Sequence, residues 1–277
     1  MGVGPAFAYD RGAIFQQRFK MTDKPLLAAA VLLAAMAFAG SRATAAEIKV
    51  LTAGAFKQIV VALAPEFEKQ TGHKLAIAND TVGALVKKIE GGESFDVTFL
   101  SPGAIDGLVK SHKVVDGSRV NIARVGVGVM VKDGAAKPDI GTVEAFKRAV
   151  LAAKSVAYID PASGGSSGIY VAKLLDQLGI GAEVKPKAKL KQGGHVADLI
   201  VSGEAELGIH QISEIVPVKG VTLIGPLPKE IQNYTTYAAG IATATKDAEA
   251  AKALVKFLSG PRTAEILKSK GMEPARS

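Results

Sequence analysis

Short β-rich runs and longer helical stripes alternate along most of this chain. Ile48–Thr52 is a short β-rich run, and the apolar residues that follow it fall on one helical stripe from Phe56 to Phe67. The same order of strand, small-residue loop and helix recurs from Lys74 and again from Asp96. Strands that alternate with helices predict a mainly parallel α/β sheet.

A longer apolar run, Arg124–Val131, interrupts the alternation, and the order of strand, loop and helix resumes at Ser155. Thr142 is predicted to cap the helix before that strand, and Ser259 to cap the last helix. The pattern predicts two α/β lobes joined by strands, with the chain returning to its first lobe. The expected boundaries are lobe 1 over 46–124, lobe 2 over 125–222, and the return over 223–277.

The N-terminal region has the pattern of an export signal. The apolar run Pro25–Gly40 follows Lys24 and precedes the small residues Ala43–Ala45. It is shorter than the roughly 20 residues that a membrane-spanning helix needs. We therefore expect residues 1–45 to be an N-terminal extension with a cleavable signal peptide, with Met1 and Met21 both open as the start. The mature protein is expected to be soluble and periplasmic.

Composition narrows the possible partners. The chain has no cysteine, which excludes disulfides, thiolate metal sites and a cysteine-linked lipid anchor. Aromatic residues make up 5% of the chain and Trp is absent, which disfavours nucleic-acid binding by stacking. The net charge of the chain is +8, and without the five basic and two acidic residues of 1–45 it falls to +5, a mild positive balance that favours anionic ligands. The densest basic stretch, Lys185–Lys191, is interpreted as a solvated connector.

Small or neutral hydrogen-bonding residues follow the predicted strands where each one ends, which is where open α/β sheets bind ligands. The loop Asp160–Gly168 is rich in Gly and Ser and leads into a helix, whose first N–H groups suit an anion. The candidate ligand-binding residues are Gly54, Ala55, Phe56, Thr81, Val82, Gly83, Ser101, Ser166, Ser167, Gly193, Gly194, His210 and Gln211.

No catalytic motif is evident. Gly165–Gly168 lacks the Gly-x-Ser-x-Gly spacing of a nucleophile elbow, and no phosphate-binding or dinucleotide-binding glycine motif occurs at a strand-to-helix turn. Metal-ligand spacing is also missing. We therefore expect no catalytic residue, metal or cofactor. The alternative from another class is a secreted serine hydrolase that pairs Ser166 or Ser167 with His195 or His210.

Several motifs in order resemble the periplasmic molybdate-binding proteins of ABC importers. These motifs are Leu85–Gly92, Phe95–Ser101, Asp160-Pro161 with Gly168–Lys173, Gly203–Ile209, and Leu258–Pro261 with Ala264–Ile266. The resemblance implies a two-lobe type II binding-protein fold with strand hinges. It also implies a monomer that captures a small oxyanion between its lobes and delivers it to a permease in the inner membrane.

The ligand itself is less well indicated, because the chain departs from the family pattern. The resemblance implies that family members carry hydroxyl side chains at the positions of Ala55 and Val82, and a tyrosine at the position of Gln211. It also implies backbone N–H donors at Ser167 and about Gly193. Three hydroxyl donors are thus missing, each worth roughly 1 kcal/mol. Neighbouring Thr81 is a possible substitute. Two ligands stay open: a molybdate-like or tungstate-like oxyanion, or a small organic carboxylate bound by His210 and Gln211. Docking to a signalling receptor instead of an importer also stays open.

Overall fold

Strands and helices alternate in the structure as the pattern predicts. The computed structural model describes residues 45–275, so the predicted signal peptide lies outside the described residues. The strands are β1 (Glu47–Ala53), β2 (Lys74–Asp80), β3 (Val97–Leu100), β4 (Val120–Lys132), β5 (Val156–Ile159), β6 (Ala188–Lys191), β7 (Leu207–Gln211), β8 (Val221–Pro226), β9 (Tyr234–Ile241) and β10 (Glu273–Pro274). The helices are α1 (Gly54–Thr71), α2 (Val82–Glu90), α3 (Pro102–Lys110), α4 (Val143–Ala152), α5 (Ser166–Gln177), α6 (Gly181–Val184), α7 (Ala197–Val201), α8 (Ile212–Ile215), α9 (Ala248–Leu258) and α10 (Pro261–Ser269).

The strands follow one path of mixed direction. Their order is β2-β1-β3-β9-β4-β7-β5-β6, with β8 and β10 pairing to β4 off this path. Pairing is parallel around β1 and around β5, and antiparallel where β4 and β9 join the two parts. The expected α/β fold is confirmed, with two parallel regions that antiparallel strands join into one mixed sheet.

The long strand β4 connects the two parallel regions. Its first half, 120–126, pairs with β9, and its second half pairs with β7 and β8. Apolar side chains from β1, β3 and α1 form one core, whereas those from β5, β7 and α5 form another. The residue-level lobe boundaries stay a prediction.

Local signals agree with the structure in some places and differ in others. Thr142 caps α4, its hydroxyl accepting the N–H of Ala145 at 3.1 Å. The prediction for Ser259 is wrong, because Gly260 is the N-cap of α10 and the Ser259 hydroxyl instead donates to the Val255 carbonyl at 2.7 Å.

The basic stretch Lys185–Lys191 is more ordered than a solvated connector. It forms a 3-10 turn and then β6, which pairs with β5. The Lys187 ammonium donates to the carbonyls of Val150, Leu151 and Ala153, at 2.6–3.0 Å. Lys187 thus satisfies carbonyl groups at the C-terminal end of α4.

Among the described residues, no helix is long and apolar enough to cross a membrane.

Candidate functional site

A small cavity lies where β1, β2, β5 and β7 end. Its volume is about 40 Å³. The lining residues are Ala53, Gly54, Ala55, Asn79, Asp80, Thr81, Val82, Ile159, Gly165, Ser166, Ser167, Gly194, His210, Gln211, Glu214 and Tyr237. The cavity therefore joins the carboxyl ends of strands from both parallel regions, as the position of the loops predicts.

Two long helices begin at the cavity without a side-chain cap. Helix α1 starts at Gly54 and has 18 residues, and α5 starts at Ser166 and has 12. The N-cap residues, Ala53 and Gly165, provide no side-chain acceptor for the first-turn N–H groups. Unpaired N–H groups and the positive end of each helix dipole therefore favour an anion at this point.

The loop that ends β2 meets the loop that ends β5 across the cavity. Gly83 N–H donates to the Gly164 carbonyl at 3.1 Å, and the Thr81 hydroxyl donates to the Ser163 carbonyl at 2.5 Å. The same hydroxyl also accepts the N–H of Ala84 at 3.2 Å, which caps α2. The Thr81 hydroxyl proton is thus donated to a protein carbonyl in this structure.

Gln211 presents an amide N–H₂ group that has no protein partner. Its side chain is buried, and its Oε1 accepts the hydroxyl of Tyr237 at 2.9 Å. That bond orients the amide and leaves Nε2 as a buried donor without a partner. A tyrosine hydroxyl is thus present near the cavity, but it positions Gln211. Burial raises the pKa of Tyr237, with the nearby Glu214 adding to the shift, so this hydroxyl stays protonated.

His210 presents a second unpartnered donor. The ring is 1% exposed, and its Nδ1 accepts the backbone N–H of Gln211 at 2.7 Å. A neutral imidazole with Nδ1 as acceptor carries its proton on Nε2, which has no hydrogen-bond partner. Burial lowers the pKa of His210 to about 3; the neighbouring His195 lowers it further, and the backbone of Gly194 opposes the shift. The ring is therefore neutral near pH 7.

Glu214 is the buried acid of the site. Its Oε2 lies 3.3 Å from His210 Nδ1, and burial raises its pKa to about 8. A neutral pair is favoured over an ion pair because two charges here would lose their hydration without further partners. A protonated Glu214 Oε2 can only share the single lone pair of Nδ1 with the Gln211 N–H, in a three-centre arrangement. The cavity lining thus contains His210, Gln211 and Glu214 as neutral side chains near pH 7.

The opposite pKa shifts of His210 and Glu214 predict that the free energy of unfolding rises, stays level and then falls as the pH increases. Between pH 3 and 6.5 the unfolded chain binds a proton at His210 that the folded protein excludes, so the free energy of unfolding rises with pH. Between pH 4.5 and 8 the folded protein keeps a proton on Glu214 that the unfolded chain loses, so the free energy of unfolding falls. Each slope is at most about 1.4 kcal/mol per pH unit. The two slopes cancel between pH 4.5 and pH 6.5, so the free energy of unfolding stays constant there.

Denaturant unfolding at a series of pH values measures this profile. Glu214→Gln should remove the decline between pH 6.5 and 8, because the amide does not titrate. Glu249→Gln, a change at an exposed residue on α9, should leave the decline in place. A decline that persists in Glu214→Gln would show that another group titrates there.

The sequence-predicted residues divide into two groups. Those that line the cavity are Gly54, Ala55, Thr81, Val82, Ser166, Ser167, Gly194, His210 and Gln211. Gly83, Gly193, Phe56 and Ser101 are not among the lining residues. Gly83 contacts Gly164, and a side chain at Gly193 would lie 3.7 Å from the Asp80 carboxylate, so both border the cavity. The Phe56 ring is in the core against Phe99, 4.9 Å between centroids, and Ser101 is the N-cap residue of α3.

Glu214 and Tyr237 are the main residues that the sequence analysis missed. Glu214 lies in the four-residue helix Ile212–Ile215, where Ile215 follows it directly and Ile212 lies two positions before it, and an acid close to such apolar residues is an available sequence signal. Tyr237 lies in β9, far from the other site residues along the chain, so no local pattern places it here.

The structure gives the hydrolase alternative no nucleophile–base pair. Within residues 45–275, the hydroxyl groups of Ser166 and Ser167 form no hydrogen bond with a histidine. His195 Nδ1 instead contacts the Glu214 carbonyl at 3.2 Å. The same described residues contain no cluster of His, Asp and Glu that could hold a metal ion.

Comparisons with known proteins agree with this fold. The chain is 32% identical over 256 residues to an aconitate isomerase from a Pseudomonas species, covering 90% of this chain and 96% of that protein. It is also 32% identical over 241 residues to the molybdate-binding protein ModA of Azotobacter vinelandii, covering 83% and 90%.

A solved Azotobacter vinelandii periplasmic molybdate-binding protein has the same fold. The two structures superpose with a TM-score of 0.69 at 22% identity, covering 83% of this chain and 99% of the other. The model of the family described as "Bacterial extracellular solute-binding protein" matches residues 48–273. The resemblance to molybdate-binding proteins is thereby confirmed, and the chain belongs to the bacterial extracellular solute-binding protein family.

Proposed function

We propose that this protein captures a small organic carboxylate in the cavity and delivers it from the periplasm to the permease of an ABC importer. The observation that carries the proposal is the pair of buried donors, His210 Nε2 and Gln211 Nε2, that have no protein partner. A buried donor without a partner costs free energy, which a ligand acceptor would recover. Since both donors are already removed from water, the acceptor gains two hydrogen bonds at little further desolvation.

The chemistry of the lining favours a carboxylate over a tetrahedral oxyanion. Ala55, Val82 and Ile159 are apolar residues of the lining, while the lining residues His210 and Gln211 each carry a buried donor without a partner. A tetrahedral oxyanion carries oxygen in every direction, so oxygens facing the apolar side chains would lack partners. A carboxylate bears its oxygens at one end and carbon at the other, which matches this division.

The Pseudomonas relative supports the same ligand class. It is named for aconitate, an unsaturated tricarboxylate, and its similarity extends over nearly the whole of both chains. Because the cavity volume is only about 40 Å³, a tricarboxylate requires the two loops to stand further apart than they do here. Aconitate is therefore the first ligand to test, together with smaller carboxylates.

A molybdate-like or tungstate-like oxyanion is the second candidate. The uncapped starts of α1 and α5 favour it, because backbone N–H groups bind tetrahedral oxyanions as readily as carboxylates. The Azotobacter relative is named for molybdate. The hydroxyl donors that the family resemblance implies are absent at Ala55 and Val82, which weakens this candidate.

Thermal unfolding and calorimetry with a ligand panel separate these candidates. The panel contains cis- and trans-aconitate, citrate, succinate, acetate, molybdate, tungstate and sulfate. A ligand at 100 times its Kd should stabilise the protein by about 2.7 kcal/mol. A response confined to carboxylates supports the proposal. A response confined to molybdate and tungstate overturns it in favour of the second candidate, and a response to neither refutes both.

A matched pair of substitutions tests the role of the buried amide. Gln211→Glu replaces a buried donor with an acidic oxygen, and the affinity for the anion should fall by about tenfold or more. Gln177→Glu makes the same chemical change at an exposed position of α5 and should leave affinity unchanged. Equal affinity in the two variants would remove Gln211 from the binding site.

A further inference from the structure

We propose that Glu214 and His210 make this site catalytic, moving a proton between two carbons of a bound unsaturated carboxylate. The inference rests on the proposed function, because it needs a carboxylate in the cavity. It goes beyond capture and delivery, for which a pair of buried titratable side chains facing the ligand space is unnecessary.

Glu214 is placed to act as the base and the acid. It lines the cavity, and its Oε1 lies against α1, where a side chain on Gly54 would come within 2.7 Å of it. Its Oε2 faces His210 Nδ1 at 3.3 Å. No lysine or arginine forms an ion pair with Glu214 among the described residues, so nothing there holds the carboxylate in its charged form. A buried carboxylate without a cation binds a proton strongly, as a general base requires.

His210 and Gln211 are placed to bind the negative charge that develops. Both residues line the cavity, and the Nε2 atom of each is buried without a hydrogen-bond partner. Since Nδ1 of His210 accepts the Gln211 backbone N–H, its Nε2 acts as a neutral donor. A carboxyl base combined with neutral donors near the substrate oxygens is suited to removing a proton from the carbon beside a carboxylate.

The step is balanced without a cofactor. Ionised Glu214 takes a proton from the allylic carbon next to a carboxylate, and the electron pair of that C–H bond becomes part of a new C=C bond. The electron pair of the former C=C bond then forms a C–H bond at the far carbon with the proton held by Glu214. One C–H bond breaks and another forms, nothing is oxidised, and Glu214 returns to its ionised form.

The pH dependence follows from the groups around Glu214. The titratable groups near it are His210 and His195, Tyr237 on β9, and Asp80 at the cavity edge. Asp80 is paired with Lys88 at 2.8 Å, and the Tyr237 hydroxyl stays protonated. The rate of proton transfer should therefore rise as pH approaches the pKa of Glu214, about 8, because only the ionised carboxylate accepts a proton.

Proton NMR in D₂O tests the proposal on the full-length protein. With trans-aconitate in large excess, we expect loss of the methylene proton signal and appearance of the cis isomer. Glu214→Gln should slow both by at least about 100-fold, the range for general acid–base catalysis. The amide still donates to His210 Nδ1, so the Kd should change far less than the rate. Glu249→Gln is the exposed control and should match the unmodified protein.

The possible outcomes distinguish the catalytic inference from the proposed function in carboxylate capture. Binding of aconitate without exchange overturns the catalytic inference and leaves the proposed function in place. Exchange that continues at the original rate in Glu214→Gln also overturns it, because another group must then be the base. If no carboxylate binds, the proposed function fails and the catalytic inference fails with it.

Discussion

Replacing Gly83 with alanine should lower the affinity for a small carboxylate such as acetate, which needs the two loops as close as they are here, by at least about tenfold without destabilising the protein. A side-chain carbon at Gly83 would lie 2.8 Å from the Cα of Gly164, across the cavity. Carbon atoms pack best at about 3.5–4.0 Å, so the two loops could not approach as they do in this structure. Overpacking of this kind costs about 1–3 kcal/mol, and 1.4 kcal/mol is a factor of ten in Kd.

The free energy of unfolding should respond differently from the affinity. Gly83 lies in the first turn of α2, and alanine favours a helix over glycine by up to about 1 kcal/mol. Calorimetry of this variant should therefore show weaker binding, whereas denaturant unfolding should show a free energy of unfolding that is unchanged or slightly higher. Gly107→Ala is the matched control, since that helical glycine has no neighbour within 4 Å. Unchanged affinity in Gly83→Ala would mean that ligand binding does not need the contact between the loops.

Replacing Gly168 with alanine should lower the free energy of unfolding by about 3 kcal/mol, more than Gly83→Ala or Gly107→Ala. The added carbon would lie 2.2 Å from the carbonyl oxygen of Ile159, at the end of β5. Both the oxygen and Gly168 belong to backbone that packs tightly, so no flexible side chain can move aside. The first turn of α5 must then shift, which costs free energy as in an overpacked core.

Urea unfolding of Gly168→Ala measures this loss through the midpoint at constant slope. Gly103→Ala in the first turn of α3 is the control, because nothing lies within 4 Å of the added carbon. Because Ser166 and Ser167 lie on the same turn, ligand affinity should fall together with stability in the Gly168 variant. A variant as stable as the control would show that α5 has room to move away from β5.

The order of strands and helices could be predicted from the sequence because it depends on local spacing. Apolar residues at helical or alternating spacing predict which segments form helices or strands, and Thr142 lies where the cap of α4 is observed. The loops of small residues at strand ends are likewise local features. Because carboxyl ends of parallel strands meet at one edge, even the position of the cavity followed from the order of elements.

Individual contacts could not be predicted with the same success. Ser259 and Gly260 are adjacent and both suit an N-cap, and only the geometry of the chain between α9 and α10 decides for Gly260. Thr81 looked free to bind a ligand, yet its hydroxyl donates to Ser163, 82 positions away. The partner of a hydrogen-bonding group depends on which distant backbone atoms lie near it in the fold, and the spacing of residues along the chain does not predict this.

The sequence by itself determined the elements, the fold class and the edge of the sheet where the cavity lies, since these depend on periodicity and on short loops. Only the tertiary structure decided the chemistry of the cavity. It brings Glu214 against His210, and Tyr237 against Gln211, and leaves two buried N–H groups without partners. The physical reason is that burial and long-range contact set the protonation state and the free donors of a side chain. Both arise only when distant segments pack together.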